Sequence, residues 1–293
     1  MMMAHDLELD QQMARSYRKN LKADCSQCFG LCCTALNLMA SSDFAINKPA
    51  GQPCPNLTET FTCQIHSKLR DTGFKGCTVF DCLGAGQIVS QTTFNGRSWR
   101  ENPAIAKQMF KVFPIMEQLL EMIAFISEAL TCELTPSLRR ELTDKLCELE
   151  KFTMLEAEAL EKLDLILCRM PVSELLVRTS LHVRSAYARI IVKEKNKTTM
   201  DDLRGVDWAG KKMRGKDLRT ADLRGAWLIA ADLRNADLRF TDLIGADLRD
   251  AQLHGADLST SLFLTQMQIN SARGDAKTKL PGHMQQPAHW NSK

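Results

Sequence analysis

Two rhythms of apolar residues run along this chain. From Pro103 the spacing is three and four. Phe113, Met116, Leu119, Leu120, Ile123, Ile126 and Leu130 form one stripe, which predicts an amphipathic helix with Pro114 at a kink or a start. Thr135 and Pro136 read as the cap and first turn of a second helix, with Leu138, Leu142, Leu146, Leu149 and Phe152 along its buried face. Thr153 and Glu156 have the spacing of a capping box for a third, carrying Leu160, Leu163 and Leu167. Pro171 opens a fourth that runs through Leu175, Val183, Tyr187 and Ile190 to about Lys193. Short connections predict an antiparallel α-helical bundle over 103–200. An intermolecular coiled coil is the alternative, but its sevenfold register breaks at Glu156. Cys132, Cys147, Cys168 and His182 stand singly on these helices and read as packing residues.

The second rhythm has a period of five. Asp201 to Thr265 divides into thirteen five-residue units, among them ADLRG, ADLRN and ADLRF. The central residue is Leu in ten units, and Trp208, Met213 and Phe263 in the others. Ala commonly stands two before it, Asp directly before it and Arg after it. Five fits neither a helix nor a plain alternation, so the chain must bend once per unit, and Gly closes six of the units. Ala and Leu are expected inward, Asp and Arg toward water. The pattern resembles the pentapeptide-repeat family, A-[D/N]-L-x-x. That resemblance implies a right-handed quadrilateral β-helix of four units per coil, so thirteen units give about three coils and roughly 15 Å of length. Relatives in that family include DNA mimics that act on type II topoisomerases. The same stretch here holds eleven Asp against ten Lys and Arg, so a mutually paired lattice is expected instead of an imitation of DNA.

Bulk composition narrows the classes. The 293 residues carry a net charge of +3, so neither nucleic acid nor an anionic membrane is drawn strongly. No apolar run is long enough for a secretory core or a membrane span, and eleven cysteines then point to thiols or metal ligands in a reducing, cytoplasmic setting.

Eight of those cysteines lie between Cys25 and Cys82. Cys25, Cys28, Cys32 and Cys33 form the first cluster; Cys54, Cys63, Cys77 and Cys82 follow, with His66 three residues after Cys63. A two-residue gap lets two sulfurs reach one ion through a tight turn, and imidazole also ligates zinc or iron. Thiolate-rich ligation favours zinc or an iron–sulfur cluster over magnesium or calcium. The eight Cys plus His66 exceed one tetrahedral site, so two sites and one site with spare thiols are both open. These residues resemble a cysteine-cluster family proposed to chelate zinc or iron: C-x-x-C-x-x-x-C-C, then Cys54-Pro55-Asn56-Leu57, then Cys63-Gln64-Ile65-His66, then Cys77 to Cys82. The Arg-Pro pair that usually precedes the closing cysteines is absent from GFKGC. Gly84 and Gly86 read as a tight turn beside the cluster, not as a phosphate loop.

The expected architecture is therefore multidomain: a cysteine-rich metal-binding module over 1–102, the α-helical region over 103–200, the β-helix over 201–265, and a C-terminal cap and tail over 266–293. The tail, with His283 and His289, is expected to be loosely docked behind a short helix. No catalytic triad, carboxylate pair or nucleotide loop emerges. The expected function is non-enzymatic binding or regulation, with the repeat surface presented to a protein partner and a homodimer as one option. Two other classes remain: an antibiotic-resistance protein that shields a DNA-associated target such as gyrase, and a metal-dependent or redox enzyme built on the cysteines.

Overall fold

The computed structural model describes residues 21–195 and 200–291; the N-terminal segment 1–20 and residues 196–199 of the polar linker lie outside them. The helices are α1 (Leu31–Ala35), α2 (Lys75–Val79), α3 (Ala85–Gln87), α4 (Pro103–Leu130), α5 (Pro136–Thr153), α6 (Ala157–Glu161), α7 (Leu165–Lys195) and α8 (Gln266–Ser271). The chain divides into two units, residues 1–131 with 139–174 and residues 132–138 with 175–293.

The first unit is built on α4. Asn102 caps it, its side chain accepting from the Ile105 N–H at 2.9 Å, and Pro103 fills the first turn, where a missing N–H costs nothing. Met109, Val112, Phe113, Met116, Leu119, Ile126 and Leu130 are fully buried along one side. Each such side chain contributes about 1.5–3 kcal/mol through burial. Helices α1, α3 and α6 pack against α4. Trp99 joins the cysteine segment to this core: its indole N–H donates to the Phe29 carbonyl at 2.7 Å, and its ring contacts Phe61 and Phe110.

Two helix boundaries differ from the sequence expectation. The capping box at Thr153 and Glu156 does not form, because Thr153 ends α5 and its hydroxyl turns back to the Glu150 carbonyl. Helix α7 opens at Leu165, six residues before Pro171. The Asp164 carboxylate accepts from the Ile166 and Leu167 N–H groups there, and this cap outcompetes the proline signal.

In the second unit the five-residue rule becomes a stack. Residue i pairs with residue i+20 throughout, as in Asp202 with Asp222 and Asp222 with Asp242, so one circuit takes four units. The central Leu side chains from Leu223 to Leu258 and the Ala side chains from Ala221 to Ala256 line an almost fully buried interior. Each unit closes with a hydrogen bond such as Ala231 N–H to Leu228 C=O at 3.0 Å. The residue inside that turn has a positive φ, at Gly225 (63°) and equally at Ala230 (54°) and Asn235 (56°). Glycine meets this demand without strain, whereas Ala230 carries the cost of a left-handed residue.

The expected right-handed quadrilateral β-helix is corrected by this geometry. Among the described residues no β-strand forms; the repeats are turns tied by isolated parallel bridges. The physical reason is the turn itself. It takes up most of each unit and leaves one bridging residue per side, too few for a strand.

The tail is ordered, contrary to expectation. Thr265 and Gln268 form a capping box for α8. Arg273 and Lys279 then extend the ladder by pairing with Gln252 and Asp257. Trp290 is buried over Gly274, where an added Cβ would lie 2.6 Å from the indole, and its N–H donates to the Ala272 carbonyl at 3.0 Å. Leu262, which takes the Asp position in the last unit, is buried.

Candidate metal centre

Short local structures hold the cysteines. Asp24 caps the turn Cys25–Gln27, its carboxylate accepting from the Ser26 N–H at 3.0 Å, and Cys28 ends that turn. Gly30, at φ 67°, reverses the chain into α1, which carries Cys32 and Cys33. The Cys28 sulfur accepts from the Leu31 N–H at 3.4 Å. Cys54 is fixed by its N–H to the Cys33 carbonyl at 2.9 Å, and Cys63 pairs with Leu57 across a short antiparallel bridge. Cys77 lies in α2. Cys82 precedes the Gly84 turn, as expected from the glycines, and a Cβ on Gly86 would lie 2.5 Å from the Cys28 sulfur and 4.0 Å from that of Cys82. Glycine at 86 is what lets α3 approach both sulfurs.

All eight thiols are free. As thiolates, Cys25 would be opposed by Cys82 and Cys33, and Cys28 by Cys82 and Cys25. Cys77 would be opposed by Cys33, Cys54 and Cys63. The Cys32 and Cys33 sulfurs lie 3.9 Å apart. Burial pushes the Cys28 thiol up to about 11 and the Cys77 thiol up to about 12, and it also raises Cys25, Cys63 and Cys82. Cys33 goes the other way, because its contact with the Cys32 sulfur and the nearby Lys48 ammonium both favour its thiolate. The upward shifts come chiefly from burial, which disfavours the thiolate, with neighbouring acidic groups adding to it.

His66 sits on an exposed turn, linked to Cys63 through its backbone N–H at 3.3 Å. Among the described residues, no three Cys, His, Asp or Glu side chains stand close enough to hold an ion as placed. The donor type itself suits a thiophilic ion, since eight free thiols lie within this one segment.

Residues 228–263 match the family model for pentapeptide repeats, in eight copies. This chain is a pentapeptide-repeat protein. It is 52% identical over 271 residues to "Uncharacterized protein YybG" of Bacillus subtilis (strain 168), a match that takes in 92% of this chain and 95% of that one. The two belong to one family. Among solved structures, it is similar to the pentapeptide repeat protein Rfr23 from the cyanobacterium Cyanothece 51142, at 29% identity and a TM-score of 0.25, covering 27% of this chain and 53% of that one. HetL from Nostoc sp. strain PCC 7120, a pentapeptide repeat protein involved in heterocyst differentiation regulation, matches at 31% identity and a TM-score of 0.16, covering 26% of this chain and 35% of that one. The chain thus spans about half of the first of these structures and about a third of the second.

Several residues of this pentapeptide-repeat protein matter without any signal in the sequence. Lys48 is buried, and its ammonium donates to the carbonyls of Thr34, Leu36, Pro49 and Gln52 near Cys54, Cys33 and Cys32. Gln87 clamps the first cluster by accepting from the Asp24 N–H at 2.7 Å and donating to the Lys22 carbonyl at 2.8 Å. Glu117, with Asp81, raises the Cys82 thiol further, and burial pushes Glu117 itself up to about 7.

On the repeats, Asp and Arg two residues apart pair within a rung, as at Asp232–Arg234 and Asp237–Arg239. Segment 175–191 of α7 packs on the face that carries Asp222 and Asp242, both buried. Arg184 meets Asp222 at 3.0 Å and donates to the Thr220 carbonyl, while Tyr187 stacks on Phe240.

Proposed function

We propose that this chain is a non-enzymatic binding protein whose segment 25–82 takes a thiophilic metal, zinc or an iron–sulfur cluster, and whose repeat stack presents a rigid surface to a protein partner. What supports the first half is that separate short structures, from the Cys25 turn to the Gly84 turn, hold eight free cysteines within one segment. Packing alone gives little reason for so many partly buried thiols in so short a stretch. Cys25, Cys28, Cys32 and Cys82 would hold one ion, and Cys33, Cys54, Cys63 and Cys77 another. A bound zinc would act as a structural crosslink; an iron–sulfur cluster would add one-electron chemistry.

The repeat surface supports binding over imitation of DNA, because its carboxylates are largely matched by arginines in the same rung. Anaerobic purification followed by elemental analysis and a UV–visible spectrum tests the metal half. Two zinc ions, or iron with inorganic sulfide, is the expected result, with Cys28→Ser and Cys77→Ser each lowering the content and Cys147→Ser leaving it unchanged. Metal-free protein that stays folded would sink the reading.

A further inference from the structure

The bridges sort the repeat surface into four faces, and three of them are occupied or neutralised. Segment 175–191 covers the face of Asp222 and Asp242. The face of Lys212, Asp232 and Gln252 is extended by Arg273, and the face of Asp217, Asp237 and Asp257 by Lys279. On the last of these, Arg219 pairs with Asp217 and reaches Asp237 one rung up, while Lys279 pairs with Asp257.

The remaining face, with Asp207, Trp227 and Asp247 in successive rungs, breaks the lattice. Ala209 stands where the paired arginine is found elsewhere, and among the described residues the Asp207 carboxylate accepts from the Ala209 N–H with no arginine paired to it. Trp227 takes an Asp position and is 58% exposed. An exposed indole next to an uncompensated carboxylate gains nothing for the stack itself. Around the adjoining corner, Lys211, Lys212, Arg214 and Lys216 put four exposed cations into six residues. Lys211 already lies over the inward Trp208 ring, at 5.4 Å, and Arg214 acts on Asp232, while no ion pair joins Lys211, Lys212 or Lys216 to a carboxylate among the described residues.

One corner of the molecule thus carries an aromatic–acidic surface and a basic surface side by side. Such a corner is self-complementary under a two-fold axis, which brings each surface onto the other and makes every contact twice. We infer that this corner is a self-association surface, at which Trp227 and Asp207 of one copy receive the Lys211–Lys216 cations of a second copy. The contacts are ion pairs and lysine over an indole face. The inference rests on reading the repeat stack as a docking module, and it specifies the occupant. Three rungs give a face only about 15 Å tall, well short of the roughly 800 Å² per partner of a stable dimer. The association is therefore expected to be weak, salt-sensitive and in the micromolar range or above.

Sedimentation velocity on the full chain between about 1 and 200 μM, at low and high salt, tests this. Expected is a concentration-dependent dimer that salt weakens, with Trp227→Ala and Asp207→Lys each raising the dissociation constant at least tenfold. Asp207→Lys mixed with the Lys211→Glu/Lys212→Glu double variant should restore the dimer, although neither dimerises alone, because only the mixed pair has opposite charges at both contacts. Circular dichroism melting confirms that each variant is folded. A wild-type chain that stays monomeric at every concentration overturns the inference. So does a dimer that Trp227→Ala and Asp207→Lys leave intact, since it must use another surface. Metal content is read on the same samples, so failure of the dimer is separable from failure of the metal reading.

Discussion

In the repeat stack, each five-residue unit meets its needs from its own turn and from units twenty residues away. An inward Leu, an inward Ala, one bridge and one turn hydrogen bond recur unit after unit. In the cysteine segment nothing repeats. Turns and short helices converge on sulfur atoms, and the apolar core is thin: Leu31, Leu38, Leu69, Phe74, Ala85 and Val89 are among its few buried side chains. The first region can lose a detail and keep its neighbours' support. The second surrounds partly buried thiols with few apolar contacts, so on the proposed reading a bound metal would supply much of its order.

The sharpest break of this comparison is a charge in the stack interior. Leu233→Asp or Leu238→Asp should destabilise the second unit by more than about 4 kcal/mol, since an unpaired carboxylate would enter a fully buried apolar column. Metal content should not change. Chemical denaturation followed by elemental analysis reads both, and coupled loss would mean that the two regions are not independent.

Next in size is the attachment of segment 175–191 to the stack. Arg184→Met should cost about 3 kcal/mol, because Asp222 stays buried with only Arg224 as its cation. Thermal melts against wild type measure it.

Asp242 gives a pH signature of somewhat smaller size. Burial pushes its carboxyl up to about 6 from 3.8, with the Ser180 hydroxyl, the Ile244 N–H and Arg224 opposing the shift. The folded state therefore holds this proton more tightly than the unfolded chain. The resulting stabilisation is complete below about pH 4 and is lost as the pH rises through 6, amounting to about 2–3 kcal/mol. Asp242→Asn should gain relative stability on going from pH 4 to pH 8. A difference between variant and wild type that does not vary with pH contradicts this. The smallest expected effect is at Asp232→Ala, within about 0.5 kcal/mol, since its pairing with Arg234 lies at the solvent edge.

How far the sequence could be read follows the same division. The inward Leu and Ala columns, the turn glycines and the helices over 103–130 and 136–153 are local rules, so they were legible. The β-helix expectation went too far because it counted extended residues that the turns in fact consume. The tail escaped because its anchor, Trp290 over Gly274, is a single long-range contact in polar sequence. In the cysteine segment, spacing marked the thiols, yet Gly86 against the Cys28 sulfur, Gln87 on the Asp24 N–H and buried Lys48 have no periodic or motif signal. Arg184 and Tyr187 looked like ordinary helix positions for the same reason: the surface they meet is made by residues 36 to 53 positions later.

The most direct test of the central claim is hydrogen exchange with mass spectrometry on the full chain, metal-loaded and after chelation. The account predicts that stripping the metal speeds exchange across residues 25–82 and leaves the amides of 221–264 as protected as before. Unchanged protection in the cysteine segment, or equal loss in both regions, would contradict it.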